Sequence, residues 1–199
     1  MMSTTVYFVR HCEPNYKNHD DSSRELIQKG LQDRQFIIKF FENKLINHIF
    51  SSPYKRAFDT VLPLAKQHKL NIITVDDFKE RKIDNVWIED FKSFTQKQWF
   101  DFSYKLTDGE CLHDVQQRNM RALNQLLIDK DGQSLVIGSH GTAISTIINF
   151  FFKSYGYQDF ENIKSLMPYI AEFQFNKLDC QSISIHNIFT GACHEIYSI

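Results

Sequence analysis

The chain predicts an α/β fold of three layers, a mostly parallel central sheet with helices on both faces, and three observations point there. Short apolar runs of strand length alternate with longer segments of helical periodicity. Three of those runs, VYFV, HIFS and SLVIG, each lead straight into polar residues that could occupy the carboxyl edge of a parallel sheet. The 199 residues are 42% hydrophobic, enough for a sizeable core in a single domain.

Each element follows from its local pattern. Val6 to Val9 reads as a buried strand ending at Arg10-His11. Lys29 to Glu42 places Leu31, Phe36, Phe40 and Phe41 among charges, as an amphipathic helix does. His48 to Ser51 is a second strand, and Ser52-Pro53 then reads as a helix start with proline in the first turn. Ile72 to Val75 is a third strand. Between Glu89 and Phe102 the aromatics Phe91, Phe94, Trp99, Phe100 and Phe102 recur near helical spacing and read as core. Asp108-Gly109 makes a turn, and Leu112 to Ile128 a long helix. Ser134 to Gly138 is a clean strand running into Ser139-His140-Gly141, and Ala143 to Phe152 returns to helix. The tail alternates Ile183 and Ile185 with Ser182 and Ser184, then turns at Thr190-Gly191 into a last short strand. No repeat or linker interrupts the pattern. The expectation is one domain over 1–199, with a helical elaboration around 88–130.

Composition narrows the function classes. A formal net charge of -1 gives no general reason to expect nucleic acid or acidic membranes as partners. Any anion site must be built locally from a few Arg and His side chains. The cysteines Cys12, Cys111, Cys180 and Cys193 show no C-x-x-C spacing, which suits a reducing compartment and neither a zinc ribbon nor a redox pair. No metal-ligand spacing occurs, and no cofactor is expected. The start has no basic leader region, and no apolar window approaches the ~20 residues of a membrane span. The expected location is cytoplasmic. Nothing in the sequence reads out an oligomeric state.

Chemistry concentrates at the strand ends. Ligands of open α/β sheets bind outside the carboxyl ends of the strands. There stand Arg10-His11, the SSPYKRAFDT segment with Arg56, and His140. Each alone has a bland reading: a hydrogen-bonded structural histidine, or a solvated helix arginine. Together, two arginines and two histidines would make a compact anion pocket, with planar guanidinium forks matched to phosphate oxygens.

The stretches VRHCEP, SSPYKRAFDT, the GE of DGEC and VIGSHGTAIS resemble, in order, the motifs of the histidine phosphatase (phosphoglycerate mutase-like) superfamily. The match spans about positions 6 to 146. That resemblance implies a phosphoglycerate mutase-like fold and a histidine acid phosphatase-like phosphomonoesterase. The nucleophile would be His11, with Arg10, Arg56 and His140 holding the phosphoryl group. It also implies a carboxylate proton donor, for which Glu80 is the best match and Glu110 the runner-up. The implied reaction is metal-independent hydrolysis of a small phosphorylated metabolite through phosphohistidine. A phosphoglycerate mutase-type phosphotransferase and a non-catalytic phosphate-binding relative are the alternatives. The sequence departs from the family pattern at Cys12, where glycine is usual, at Ile27, where threonine is common, and around Asp84 and Asn85, where a glycine is expected before the tryptophan. The segment NHDDSSREL also replaces the Gly-Trp stretch of true phosphoglycerate mutases.

Physical requirements accompany those roles. Attack on phosphorus needs an unprotonated imidazole nitrogen, and a backbone carbonyl bonded to the other N–H would fix that tautomer. Rival nucleophiles fail on spacing. A Cys-dependent phosphatase loop would need arginine where Asn18 stands. A serine-hydrolase elbow at Ser139 would need glycine where Ile137 stands. No G-x-x-x-x-G-K loop is present. The leaving-group loops are expected between Glu89 and Asp108, with Trp87, Trp99 and Tyr104.

Overall fold

The computed structural model describes residues 3–199; Met1 and Met2, part of the stretch expected to carry no leader, lie outside them. In chain order the elements are β1 Thr4–Arg10, α1 Gln28–Phe41, β2 His48–Ser51, α2 Lys55–His68, β3 Ile72–Thr74, a 3₁₀ turn Asp76–Phe78, α3 Phe91–Phe100, α4 Leu112–Asp129, β4 Ser134–Ser139, α5 Gly141–Phe151, α6 Tyr157–Ile163, β5 Ile170–Asn176, β6 Asp179–Asn187 and β7 Ala192–Ser198. They form one seven-stranded sheet in the order β3-β2-β4-β1-β5-β6-β7.

Successive side chains of a strand face opposite sides of the sheet, so the central strands feed two cores. Val6 and Phe8 of β1, with Leu135 and Ile137 of β4, pack against Leu123 and Leu127 of α4 and Ile144 and Ile148 of α5. Tyr7, Val9 and Val136 face the other way, toward Ile37 and Phe41 of α1 and Val61 and Leu64 of α2. These strands are apolar on both faces because helices cover both faces. The three-layer expectation therefore holds.

The expectation of a mostly parallel sheet holds for half of it. β1, β4, β2 and β3 run parallel, whereas β5, β6 and β7 pair antiparallel, starting from β1. Tight connections dictate the second half. β5 and β6 are joined through Lys177 at φ 55, and β6 and β7 through Gly191 at φ 76, and strands joined by a short hairpin must run antiparallel. Parallel pairing requires a crossover, which α1, α2 and α4 supply.

Three further differences have local causes. α2 starts at Lys55 rather than at Ser52-Pro53, because the Ser52 hydroxyl accepts the Tyr54 amide and faces His140. The aromatic stripe of α3 is only partly core: Phe94 and Trp99 are buried, while Phe91 is exposed and Phe100 is 95% exposed. The ordered segments α6 and β5 have no counterpart in the sequence reading.

Candidate active site

β1 and β4 are neighbours in register, with Arg10 opposite Ser139. The residues just past their carboxyl ends therefore emerge side by side. The His11 amide donates to the Ser139 carbonyl at 3.1 Å, and the His11 and His140 rings meet edge to face with centroids 5.3 Å apart. Both histidines are buried. α2 brings Arg56 to the same edge, and the loop after the 3₁₀ turn brings Glu80. Arg10, His11, Arg56, Glu80 and His140 thus share one corner of the molecule.

The imidazole of His11 is oriented by its own backbone turn. Nδ1–H donates to the Cys12 carbonyl at 2.7 Å, and a carbonyl only accepts, so in the neutral ring Nε2 carries the lone pair. Burial, then the charges of Arg56 and Arg10, hold the His11 pKa well below the ordinary histidine value. The ring is neutral across the physiological range. His140 is held low in the same way, by burial first and then by Arg56 and His11. Its Nε2 lies 2.8 Å from Ser52 Oγ. That hydroxyl, which also accepts the Tyr54 amide, donates to His140 Nε2 in one of the two neutral tautomers of the ring. Nδ1 is then an N–H, and it is a buried atom without a protein partner.

The two arginines are fixed differently. Arg10 commits Nη1 to the carbonyls of Ile163, Lys164 and Leu166, at 3.2, 2.7 and 3.0 Å. Its Nε is buried and unpartnered. The guanidinium lies against Gly141, where a Cβ would come within 3.1 Å of Cζ and Nε, so any side chain there would require Arg10 to shift. Arg56 is buried, bonded through Nη1 to the Asp21 carbonyl at 2.5 Å and through Nη2 to the Asp21 carboxylate at 3.0 Å. It also stacks over Tyr54.

The two candidate carboxylates separate clearly. Glu80 sits at the N-terminus of α5, with Oε2 accepting the Thr142 amide at 3.1 Å and Oε1 the Arg81 amide at 2.8 Å. Each oxygen keeps a second lone pair. Glu110 is bound by both Nε and Nη2 of Arg118, at 2.8 and 3.0 Å, and accepts the Lys82 amide as well. It thereby holds Arg118, whose Nη2 donates to the Glu80 carbonyl at 3.2 Å. Cys12 is buried, and burial pushes its thiol up to about 12. It is a packed side chain whose amide donates to Thr60 Oγ1 at 3.0 Å.

A model of the histidine phosphatase superfamily (branch 1) matches residues 6–182. The chain belongs to that superfamily. As a histidine phosphatase it falls among phosphatases and phosphotransferases. It is 27% identical over 157 residues to the phosphoglycerate mutase-like protein 4 of Arabidopsis thaliana, covering 71% of this chain and 68% of the relative. The fold superimposes on a phosphoserine phosphatase from Entamoeba histolytica in complex with phosphoserine, at TM-score 0.72 and 17% identity, over 98% of this chain and 95% of that one. It also superimposes on a mycobacterial glucosyl-3-phosphoglycerate phosphatase, at TM-score 0.71 and 15% identity, over 98% of both chains.

Other residues of this corner escaped the sequence reading. Arg24 is buried and pairs with Asp21 at 2.9 Å, with its charge reaching His11. Ser52, Tyr54, Thr142 and Asp21 also build the site. The one available signal was the cluster DDSSR following the first motif, where oppositely charged side chains stand within reach of one another. Among the described residues no group of three or more His, Cys, Asp or Glu could hold a metal ion, and no helix is long and apolar enough to cross a membrane.

Proposed function

We propose that this histidine phosphatase hydrolyses small phosphomonoesters through a phosphohistidine on His11, without a metal. The observation that carries the reading is the Nδ1–H bond from His11 to the Cys12 carbonyl, which leaves Nε2 as a free lone pair beside two arginines. In the first step Nε2 attacks phosphorus as the bond to the leaving oxygen breaks, and Glu80, protonated, delivers its proton to that oxygen. In the second step the Glu80 carboxylate takes a proton from water. The water oxygen bonds to phosphorus, the P–Nε2 bond breaks, and phosphate leaves. Charge in such loose transition states spreads over three equatorial oxygens. In this reading the donors to them are Arg10 through Nε, Arg56, and His140 through Nδ1–H. A neutral His140 donates without competing for the proton that the leaving group needs.

The test is release of phosphate from p-nitrophenyl phosphate in the presence of EDTA, with acid-labile, base-stable phosphate trapped on the protein. Wild type is expected to turn over and His11→Ala to be inert. Dependence on added metal, or label on Cys12, would refute the mechanism.

A further inference from the structure

Resting on that reading, we propose that the segment Tyr16–Arg24 is a roof over the phosphate corner, and that His19 and Trp87 are specificity-determining residues that limit the leaving group to small molecules. The segment is tied to three separate walls, and each tie lies next to a residue of the site. On α2, the Lys55 amide donates to the Ser22 carbonyl at 3.0 Å and Arg56 holds Asp21. On the loop before β5, which also supplies two of the carbonyls bound by Arg10, the Tyr16 hydroxyl donates to Met167 Sδ at 3.4 Å. On the loop that carries Glu80, the Trp87 ring stacks on His19 with centroids 4.1 Å apart and planes 9° from parallel.

Within itself the roof is braced. Asn15 and Asn18 both donate to the Glu25 carboxylate, at 2.6 and 2.9 Å. The Arg24 guanidinium ties the Asn18 carbonyl to the Asp21 carboxylate. Arg24 and Arg56 both bind the roof's Asp21, and both are buried, as are Arg10, His11 and His140. Of the three ties, only the His19–Trp87 stack is made by side chains that are both exposed and held by no hydrogen bond to one another. Trp87 is 58% exposed, so its packing is not what stabilises the core. In this proposal the leaving group departs past this tie. A compact monoester passes beneath the roof, whereas a phosphorylated chain segment requires the stack to part.

The experiment compares p-nitrophenyl phosphate with a short phosphotyrosine peptide in wild type, Trp87→Ala, His19→Ala and Trp87→Phe. Wild type is expected to favour the small ester in kcat/KM. Trp87→Ala and His19→Ala should each narrow that preference by about tenfold, mainly through KM for the peptide, and Trp87→Phe, which keeps a stacked ring, should restore it. A preference unchanged in both alanine variants, or a wild type with no preference, would overturn the proposal. Binding of inorganic phosphate and of the same peptide is measured calorimetrically in a His11→Ala background, with and without Trp87→Ala. A shift in their ratio supports the roof even if no variant turns over, in which case the hydrolase reading alone fails. Tight phosphate binding with an unshifted ratio overturns the roof alone.

Discussion

The site turns on which atom of each residue is already committed. His11 gives Nδ1 to the Cys12 carbonyl, Arg10 gives Nη1 to three carbonyls, and Glu80 accepts one amide on each oxygen. The atoms left over, among them His11 Nε2 and Arg10 Nε, are those the proposed reaction would use. If Glu80 serves the leaving oxygen, Glu80→Gln will slow hydrolysis of alkyl phosphates by about 10²–10⁴-fold. It will slow p-nitrophenyl phosphate far less in the bond-breaking step, because that leaving group departs without a proton. Single-turnover kinetics on the two esters separates these outcomes, and equal losses would move the acid elsewhere. At this scale the sequence exposed Arg10, His11, Arg56 and His140 because they follow apolar strands. Arg24 stayed hidden, since an arginine in a polar loop looks solvated until its partners are located in space. The Arg118 that binds Glu110 was equally hidden, since it lies in the middle of a helix.

Elements carry the site by where they begin. α5 opens at Gly141 with the Arg10 guanidinium packed against the glycine and Glu80 on the next amide. Gly141→Ala places a methyl 3.1 Å from a side chain whose far end is pinned by three carbonyls. Arg10 must shift by a few tenths of an ångström and lose its alignment with the pocket. The expected result is a rise of about tenfold in KM, or about 1.4 kcal/mol of binding, with the fold retained by circular dichroism. An unchanged KM would show that Arg10 tolerates the displacement. Elements flanked by clear turn or strand signals, such as β2, β4 and α4, were legible to within a residue or two. α6 and β5 were not. The β5 stretch IAEFQFN interleaves Glu172 and Gln174 with its apolar residues; the two bond each other, and each also needs a partner across the sheet, His186 and Thr5. Neither partner is near in sequence.

For the whole molecule, the buried histidines make stability depend on pH in a definite direction. Both His11 and His140 have pKa values lowered well below the ordinary value of 6.5 by burial and by neighbouring arginines. Below pH 6.5 the unfolded chain therefore binds protons that the folded one refuses. Stability is full above that pH and falls as the pH drops toward the folded values. The slope approaches about 1.4 kcal/mol per pH unit for each histidine. Urea titrations between pH 7 and pH 5 should show this decline, and it should be shallower in His140→Asn. The parallel half of the sheet was readable because strands covered on both faces are apolar throughout. In the antiparallel half the alternation of β6 and the turn at Gly191 were legible, whereas the turn at Lys177 carries little distinctive sequence and β5 with it went unread.

One feature of the corner reaches beyond catalysis. Arg10, Arg24 and Arg56 are buried there, with the Asp21 carboxylate paired to Arg24 and Arg56, and Arg10 Nε and His140 Nδ1 have no protein partner. An excess of cationic hydrogen-bond donors withdrawn from water is a standing cost that an oxyanion relieves. Phosphate is therefore expected to stabilise the native state. At a hundred times its dissociation constant it adds about 2.7 kcal/mol, read as a rise in Tm that His11→Ala keeps and Arg56→Ala loses. The half-life of the folded protein would follow the phosphate concentration around it, so that the molecule persists longest where its product accumulates.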